Sequence, residues 1–198
     1  DNLRILKILK HNNIDGHFVE CGVWKGITLV FFQKYIEIYN LKNIKIYGFD
    51  TFQGVPEPTK EDIDIYGNSM KKRYDSEKID DKISNWNLSS IDEVKLNYFD
   101  NTVDNENLIL IKGRVEDTLL NSNNIPKKIA LLKLDTSLYE GTKIELEILF
   151  PKVQKGGIII IEGYLKFNGV KKAVDNFFLD KDYLIKKYPI TSRAIIYL

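Results

Sequence analysis

Phe18-Val19-Glu20-Cys21-Gly22-Val23-Trp24-Lys25-Gly26-Ile27-Thr28 decides the fold. A short apolar run ends in an acid and a Gly-containing turn, and Ile27 to Tyr39 then repeats apolar side chains at helical spacing. The same unit recurs along the chain. Ile44 to Phe49 ends at Asp50, Leu108 to Ile111 at Gly113, Ile129 to Leu134 at Asp135, and Ile158 to Ile161 at Glu162. Tyr139 to Phe150 and Val170 to Phe178 read as helices, and Pro151 with Gly156-Gly157 reads as punctuation ahead of the fifth strand. Strands written as continuous apolar runs belong to parallel sheets buried on both faces. Their alternation with helices predicts an α/β layered domain with right-handed crossovers. Tyr183 to Tyr188 and Ala194 to Leu198 read as a closing antiparallel pair.

The chain has 198 residues, with 29 Lys and Arg against 28 Asp and Glu, and 43% of them hydrophobic. That predicts one domain over residues 1–198 with a substantial core. A balanced charge supplies no basic field for nucleic acid. Cys21 is the single cysteine, which excludes an internal disulfide and a thiolate metal cluster, and His11 and His17 are too few for a His-rich site. The run Gly156 to Ile161 is far shorter than the roughly 20 residues that span a bilayer. No secretory signal is visible, although the first residue is Asp1 rather than Met. The expectation is a cytoplasmic protein that acts on a small molecule, with neither nucleic acid nor membrane as partner. Phe31, Phe32, Tyr35 and Tyr39 follow helical spacing and suit a core or a homo-oligomer interface.

Ligands of such sheets sit at the carboxyl ends of the strands. Four of the five strand-end residues, Glu20, Asp50, Asp135 and Glu162, are acidic, and the fifth is Gly113. The first turn spaces its glycines as G-x-x-x-G, which is neither the dinucleotide nor the phosphate-loop pattern. Glu20 ahead of it would repel a pyrophosphate. It suits a ligand that carries ammonium and sulfonium charges beside a carboxylate, as S-adenosylmethionine does; a plain strand-to-helix corner is the alternative. Asp50 follows Glu20 at about the spacing of an acid that accepts from ribose hydroxyls, or else it caps the turn before Thr51. Gly113-Arg114-Val115-Glu116 opens a helix where an adenine ring could pack, and its acids also suit a helix dipole. Residues 52–106 are long for one crossover and predict a lid-like insertion, with a helix from Ser90 to Phe99 capped by Ser89 or Ser90.

Glu20-Cys21-Gly22-Val23-Trp24-Lys25-Gly26, Gly48-Phe49-Asp50-Thr51-Phe52-Gln53-Gly54-Val55-Pro56 and Lys112-Gly113-Arg114-Val115-Glu116-Asp117-Thr118-Leu119 resemble successive motifs of one family. Leu132-Lys133-Leu134-Asp135-Thr136-Ser137-Leu138-Tyr139-Glu140, Gly156 to Tyr164 and Ala173-Val174-Asp175-Asn176-Phe177 continue the series. The family is the macrocin O-methyltransferase type, S-adenosylmethionine-dependent enzymes that methylate sugar hydroxyls. The resemblance implies a class I methyltransferase fold, Rossmann-like, with a mostly parallel seven-stranded sheet whose last strand is antiparallel. It further implies that the cofactor is bound by Glu20, Cys21, Gly22, Val23, Trp24, Gly26 and Thr28, by Asp50, Thr51 and Phe52, by Gly113, Arg114 and Glu116, and beside Asp135. The implied acceptor is a sugar or glycan hydroxyl.

Members of the family usually carry L-D-x-D-x-Y after the fourth strand and D-D-Y after the fifth, a carboxylate cluster that can hold Mg2+. Here Ser137 and Gly163 replace two of those acids, and Glu162 lengthens a third. Asp135 and Glu162 are left as metal ligands, which leaves two readings open: weak Mg2+ binding, or none. A sugar hydroxyl needs a base, and both histidines lie away from the strand ends. Asp135 and Glu162 are therefore the catalytic candidates, Asp135 ahead, each expected to raise the other's proton affinity. Tyr164 and Tyr139 follow behind them. Two rivals remain: a nucleotide-dependent enzyme of another class on the same fold, and a cofactor-binding relative without methyl transfer.

Overall fold

The computed structural model describes residues 2–103 and 106–198; residues 104 and 105 of the predicted insertion lie outside the described residues. A seven-stranded sheet runs β3-β2-β1-β4-β5-β7-β6. Its parallel strands are β1 (His17–Cys21), β2 (Ile46–Asp50), β3 (Leu108–Lys112), β4 (Ile129–Leu134) and β5 (Val153–Ile161). β7 (Arg193–Tyr197) pairs antiparallel with both β5 and β6 (Ile185–Tyr188), so the last strand is the antiparallel one, as expected.

Helices cover both faces because the strands are apolar on both. Val19, Cys21, Leu132, Leu134, Ile159 and Ile161 point to a core built with α5 (Val115–Thr118), α6 (Tyr139–Leu149) and α7 (Asn168–Phe178). Phe18, Ile46, Leu131, Ile158 and Ile160 point to the opposite core, with α1 (Asn2–His11), α2 (Ile27–Ile38) and α4 (Ile91–Asn101). β3 is only half buried, since it forms the sheet edge beyond β2.

Two local readings change. Gly156-Gly157 does not precede the fifth strand but lies inside it, where β5 bulges between the pairs Val153↔Ile129 and Ile158↔Leu131. Gly156 takes φ +83°, a backbone conformation that strains any side chain, so the bulge favours glycine. The insertion is folded and packs against the rest of the chain. It contains α3 (Lys71–Glu77) and α4, and Ser90 caps α4 by accepting from the Glu93 N–H at 3.1 Å. Asp62, 1% exposed, accepts from the Tyr139 N–H at 2.7 Å and so ties the insertion to the start of α6. Trp86 packs with Met70, Tyr74 and Leu138, under the Arg73 guanidinium, and is a packing residue. Among the described residues no helix is long and apolar enough to cross a membrane.

Candidate active site

A parallel strand must turn sharply at its carboxyl end to feed the next helix, and here each turn uses a left-handed residue. Gly22 and Trp24 follow β1, Phe52 follows β2, Gly113 follows β3, Ser137 follows β4 and Gly163 follows β5, all with φ between 49° and 140°. Trp24, Phe52 and Ser137 pay a steric cost that glycine would not, a cost typical of functional edges. Gly22 has no alternative: a Cβ on it would lie 2.4 Å from the Asp135 carbonyl oxygen. The β1 and β4 ends therefore meet backbone to backbone, and the space above them stays open.

That space is a cavity of about 240 Å³. Gly22 and Trp24 form one wall, Asp50 and Thr51 a second, and Gly113, Arg114 and Glu116 a third. Asp135, Thr136, Leu138 and Gly141 close the β4 side, while Gly54 to Pro56 and Asn87 of the insertion form the roof edge. Gly54 fixes that edge, since a Cβ there would lie 1.9 Å from the Ser84 carbonyl oxygen.

Asp50 organises two turns at once. Its Oδ2 accepts from the Val23 N–H at 2.7 Å and the Trp24 N–H at 3.0 Å, and its Oδ1 accepts from the Phe52 N–H at 2.7 Å. This is the turn-capping alternative in a longer-range form. The carboxylate also lines the cavity. Glu116 reaches the cavity with its carboxylate paired to Arg114 at 2.9 Å. Glu20, Cys21, Val23, Gly26, Thr28 and Phe52 are absent from the cavity wall, and Glu20, Cys21, Val23 and Phe52 are buried behind it.

The catalytic candidates sit in two ion-paired groups, Glu20–Lys133–Asp135 and Glu162–Arg193, that the sequence reading missed. Glu20 on β1 is in register with Lys133 on β4, and the Lys133 Nζ lies 2.8 Å from Glu20 and 2.6 Å from Asp135. One step further along the sheet, Arg193 on β7 holds Glu162 at 2.8 Å and donates to the Asn2 side chain at 2.9 Å. Lys133 is 5% exposed. A lysine inside an otherwise apolar strand buried on both faces was the available signal, because a buried ammonium demands anionic partners.

Burial pushes the Glu20 carboxyl up to about 7, against the pull of Lys133. Burial works against the charge on Lys133, but Glu20 and Asp135 outweigh it and hold its pKa above the ordinary lysine value. Asp135 is raised by burial, and Lys133 opposes the shift. Glu162 is likewise raised chiefly by burial, with a smaller push from Asp135. Desolvation thus does most of what mutual repulsion was expected to do. Glu145 of α6 is fully buried beside Cys21 and Thr136, and desolvation lifts its carboxyl well above the usual range.

Residues 1–188 match the family model of the macrocin-O-methyltransferases (TylF). The chain belongs to that family. It is 28% identical over 166 residues to the demethyldecarbamoylnovobiocin O-methyltransferase of Streptomyces niveus, covering 84% of this chain and 59% of the relative. It is 24% identical over 153 residues to the mycinamicin III 3''-O-methyltransferase of Micromonospora griseorubida, covering 77% of this chain and 57% of that one. The chain therefore spans less than two thirds of the length of these relatives. The structure of the O-methyltransferase NovP superposes with a TM-score of 0.80 at 24% identity, over 98% of this chain and 75% of that one. The fold is thereby that of the class I methyltransferases.

The family's acidic cluster is not reproduced here as a metal site. A structure of MycE, a more distant neighbour at TM-score 0.52, contains Mg. In this chain Gly163 offers no side-chain donor, and Asp135 and Glu162 are each held by a fixed cation. Among the described residues no group of three His, Cys, Asp or Glu side chains is placed to hold a metal ion. Magnesium prefers near-octahedral oxygen ligation, and this donor set does not fit it.

Proposed function

We propose that this chain is an S-adenosylmethionine-dependent O-methyltransferase acting on a hydroxyl of a sugar or a sugar-bearing metabolite. The observation that carries the reading is the cavity above Gly22, walled by the ends of four parallel strands, in a member of an O-methyltransferase family. Its shape suits an adenosyl group: glycine backbone at Gly22 and Gly113, apolar Val115 and Leu138, and carboxylates of Asp50 and Glu116 at the polar rim. A bound cofactor, held by the Gly22, Asp50 and Gly113 turns, would supply an electrophilic methyl group to the acceptor oxygen.

In this reading Gly22, Trp24, Asp50, Thr51, Gly113, Arg114 and Glu116 contact the cofactor. Glu20, Cys21, Val23, Gly26, Thr28 and Phe52 hold those contacts from behind. Asp135 takes the proton of the acceptor hydroxyl. Burial raises its proton affinity, and Lys133, 2.6 Å away, opposes that rise and aims the carboxylate. Glu162 is committed to Arg193 and serves to place that cation. The insertion, through Gly54 to Pro56 and Asn87, shapes the acceptor side. Alignment of oxygen, carbon and sulfur supplies much of the acceleration in such a displacement.

Calorimetric titration with S-adenosylhomocysteine and with NAD tests the cofactor, followed by methyl transfer to a panel of glycosides. Binding of S-adenosylhomocysteine alone, with turnover abolished in Asp135→Asn and cofactor affinity kept within a few fold, is the expected result. NAD binding alone would end the proposal. Cofactor binding without transfer to any glycoside would favour a non-catalytic relative.

A further inference from the structure

The strand edge carries one buried cation, Lys133, and one half-buried cation, Arg193. Across β1, β4, β5 and β7 the side chains run Glu20, Lys133, Asp135, Glu162 and Arg193, three carboxylates against two cations. We propose that Lys133 and Arg193 are the resident counter-ions of this edge and take the place of a divalent cation, so that the site binds neither Mg2+ nor Mn2+ while both are present. The inference concerns the same site as the methyltransferase reading, but its geometry stands apart from the identity of the ligand.

Neither cation is free to swing away. The Lys133 side chain is 6% exposed and bridges two carboxylates; the Arg193 side chain is 15% exposed and anchored on Glu162 and Asn2. A divalent ion on Asp135 would sit beside the Lys133 ammonium, which lies 2.6 Å from that carboxylate, and buried charges are little screened by salt. An ion on Glu162 would likewise meet the Arg193 guanidinium, 2.8 Å from that carboxylate. Gly163 has no side-chain oxygen to offer in return, and its carbonyl already accepts from the Lys166 and Phe167 N–H groups. Arg193 is thus a positioning residue: it fixes Glu162.

The test is a titration of the metal-stripped full chain with Mn2+, following free Mn2+ by electron paramagnetic resonance, with and without S-adenosylhomocysteine. The wild-type chain should show no saturable site below about 1 mM, weaker than built calcium or magnesium sites. Arg193→Gln keeps a donor toward Glu162 but removes the charge, and should tighten Mn2+ by roughly tenfold or more, the effect of one nearby unit charge at a partly shielded edge. Arg193→Lys should behave as wild type. Stoichiometric Mn2+ binding by the wild-type chain at tens of micromolar overturns the proposal. So does an Arg193→Gln variant that folds, by circular dichroism, yet gains no affinity; should it not fold, the wild-type titration decides alone. A parallel calorimetric run with S-adenosylhomocysteine separates the two readings, because failure to bind it would sink the methyltransferase proposal and leave the metal result intact.

Discussion

Lys133→Met removes the ammonium and keeps most of the stem. In the native chain this ammonium serves Glu20 and Asp135 at once, at 2.8 and 2.6 Å. Without it Glu20, 1% exposed and with its Oε2 already unpartnered, has no counter-ion. Removing one member of a buried ion pair costs about 3–5 kcal/mol when the remaining charge persists. It need not persist at low pH. Glu20 in the native fold already holds its proton up to about 7, against an ordinary glutamate near 4.5, and the substitution lifts that value further. The folded state then binds protons that the unfolded state has released, so stability falls as pH climbs from the ordinary value to the folded one. The expected loss is about 3 kcal/mol at pH 8, or about 6–12 °C in melting temperature for a domain of this size, shrinking to about 1 kcal/mol at pH 5. Urea denaturation of both proteins at the two pH values reads it directly. A companion Glu20→Leu, Lys133→Met double variant should recover part of the loss at pH 8, since an apolar replacement of a buried pair is often tolerated. A loss that is equal at both pH values, or larger at pH 5, would refute the linkage between Lys133 and the two carboxylates.

Gly22→Ala should cost at least about 2 kcal/mol and abolish S-adenosylhomocysteine binding, because its Cβ would overlap the Asp135 carbonyl at 2.4 Å on a residue held at φ +85°; a thermal melt and a calorimetric titration measure both. Asp50→Ala should lower cofactor affinity and stability together, each by about 1–3 kcal/mol, since three backbone N–H groups lose their acceptor. Lost affinity with unchanged stability would mean that its carboxylate serves the ligand alone.

The order of strands and helices, the face of each strand end and the four acids at those ends were written locally. Continuous apolar runs such as Ile158 to Ile161 fit a sheet covered on both sides, and a Ser90 followed by Glu93 signals its own helix start. The likeness of the Gly22–Gly26 and Asp50–Pro56 turns to known motifs added the ligand class only because the turns themselves are local objects. The bulge at Gly156-Gly157 escaped notice because the same dipeptide marks a loop or a kinked strand, and the partner strand decides between them.

What tertiary structure alone decided is who neutralises whom. Lys133 meets Glu20 across 113 positions of sequence, and Arg193 reaches Asn2 across 191. No local pattern encodes such partners, for they follow from strand order and register. Burial, too, is a property of the assembled sheet: it sets the proton affinities of Glu20, Asp135 and Glu162, and desolvation acts only once neighbouring strands and helices have excluded water.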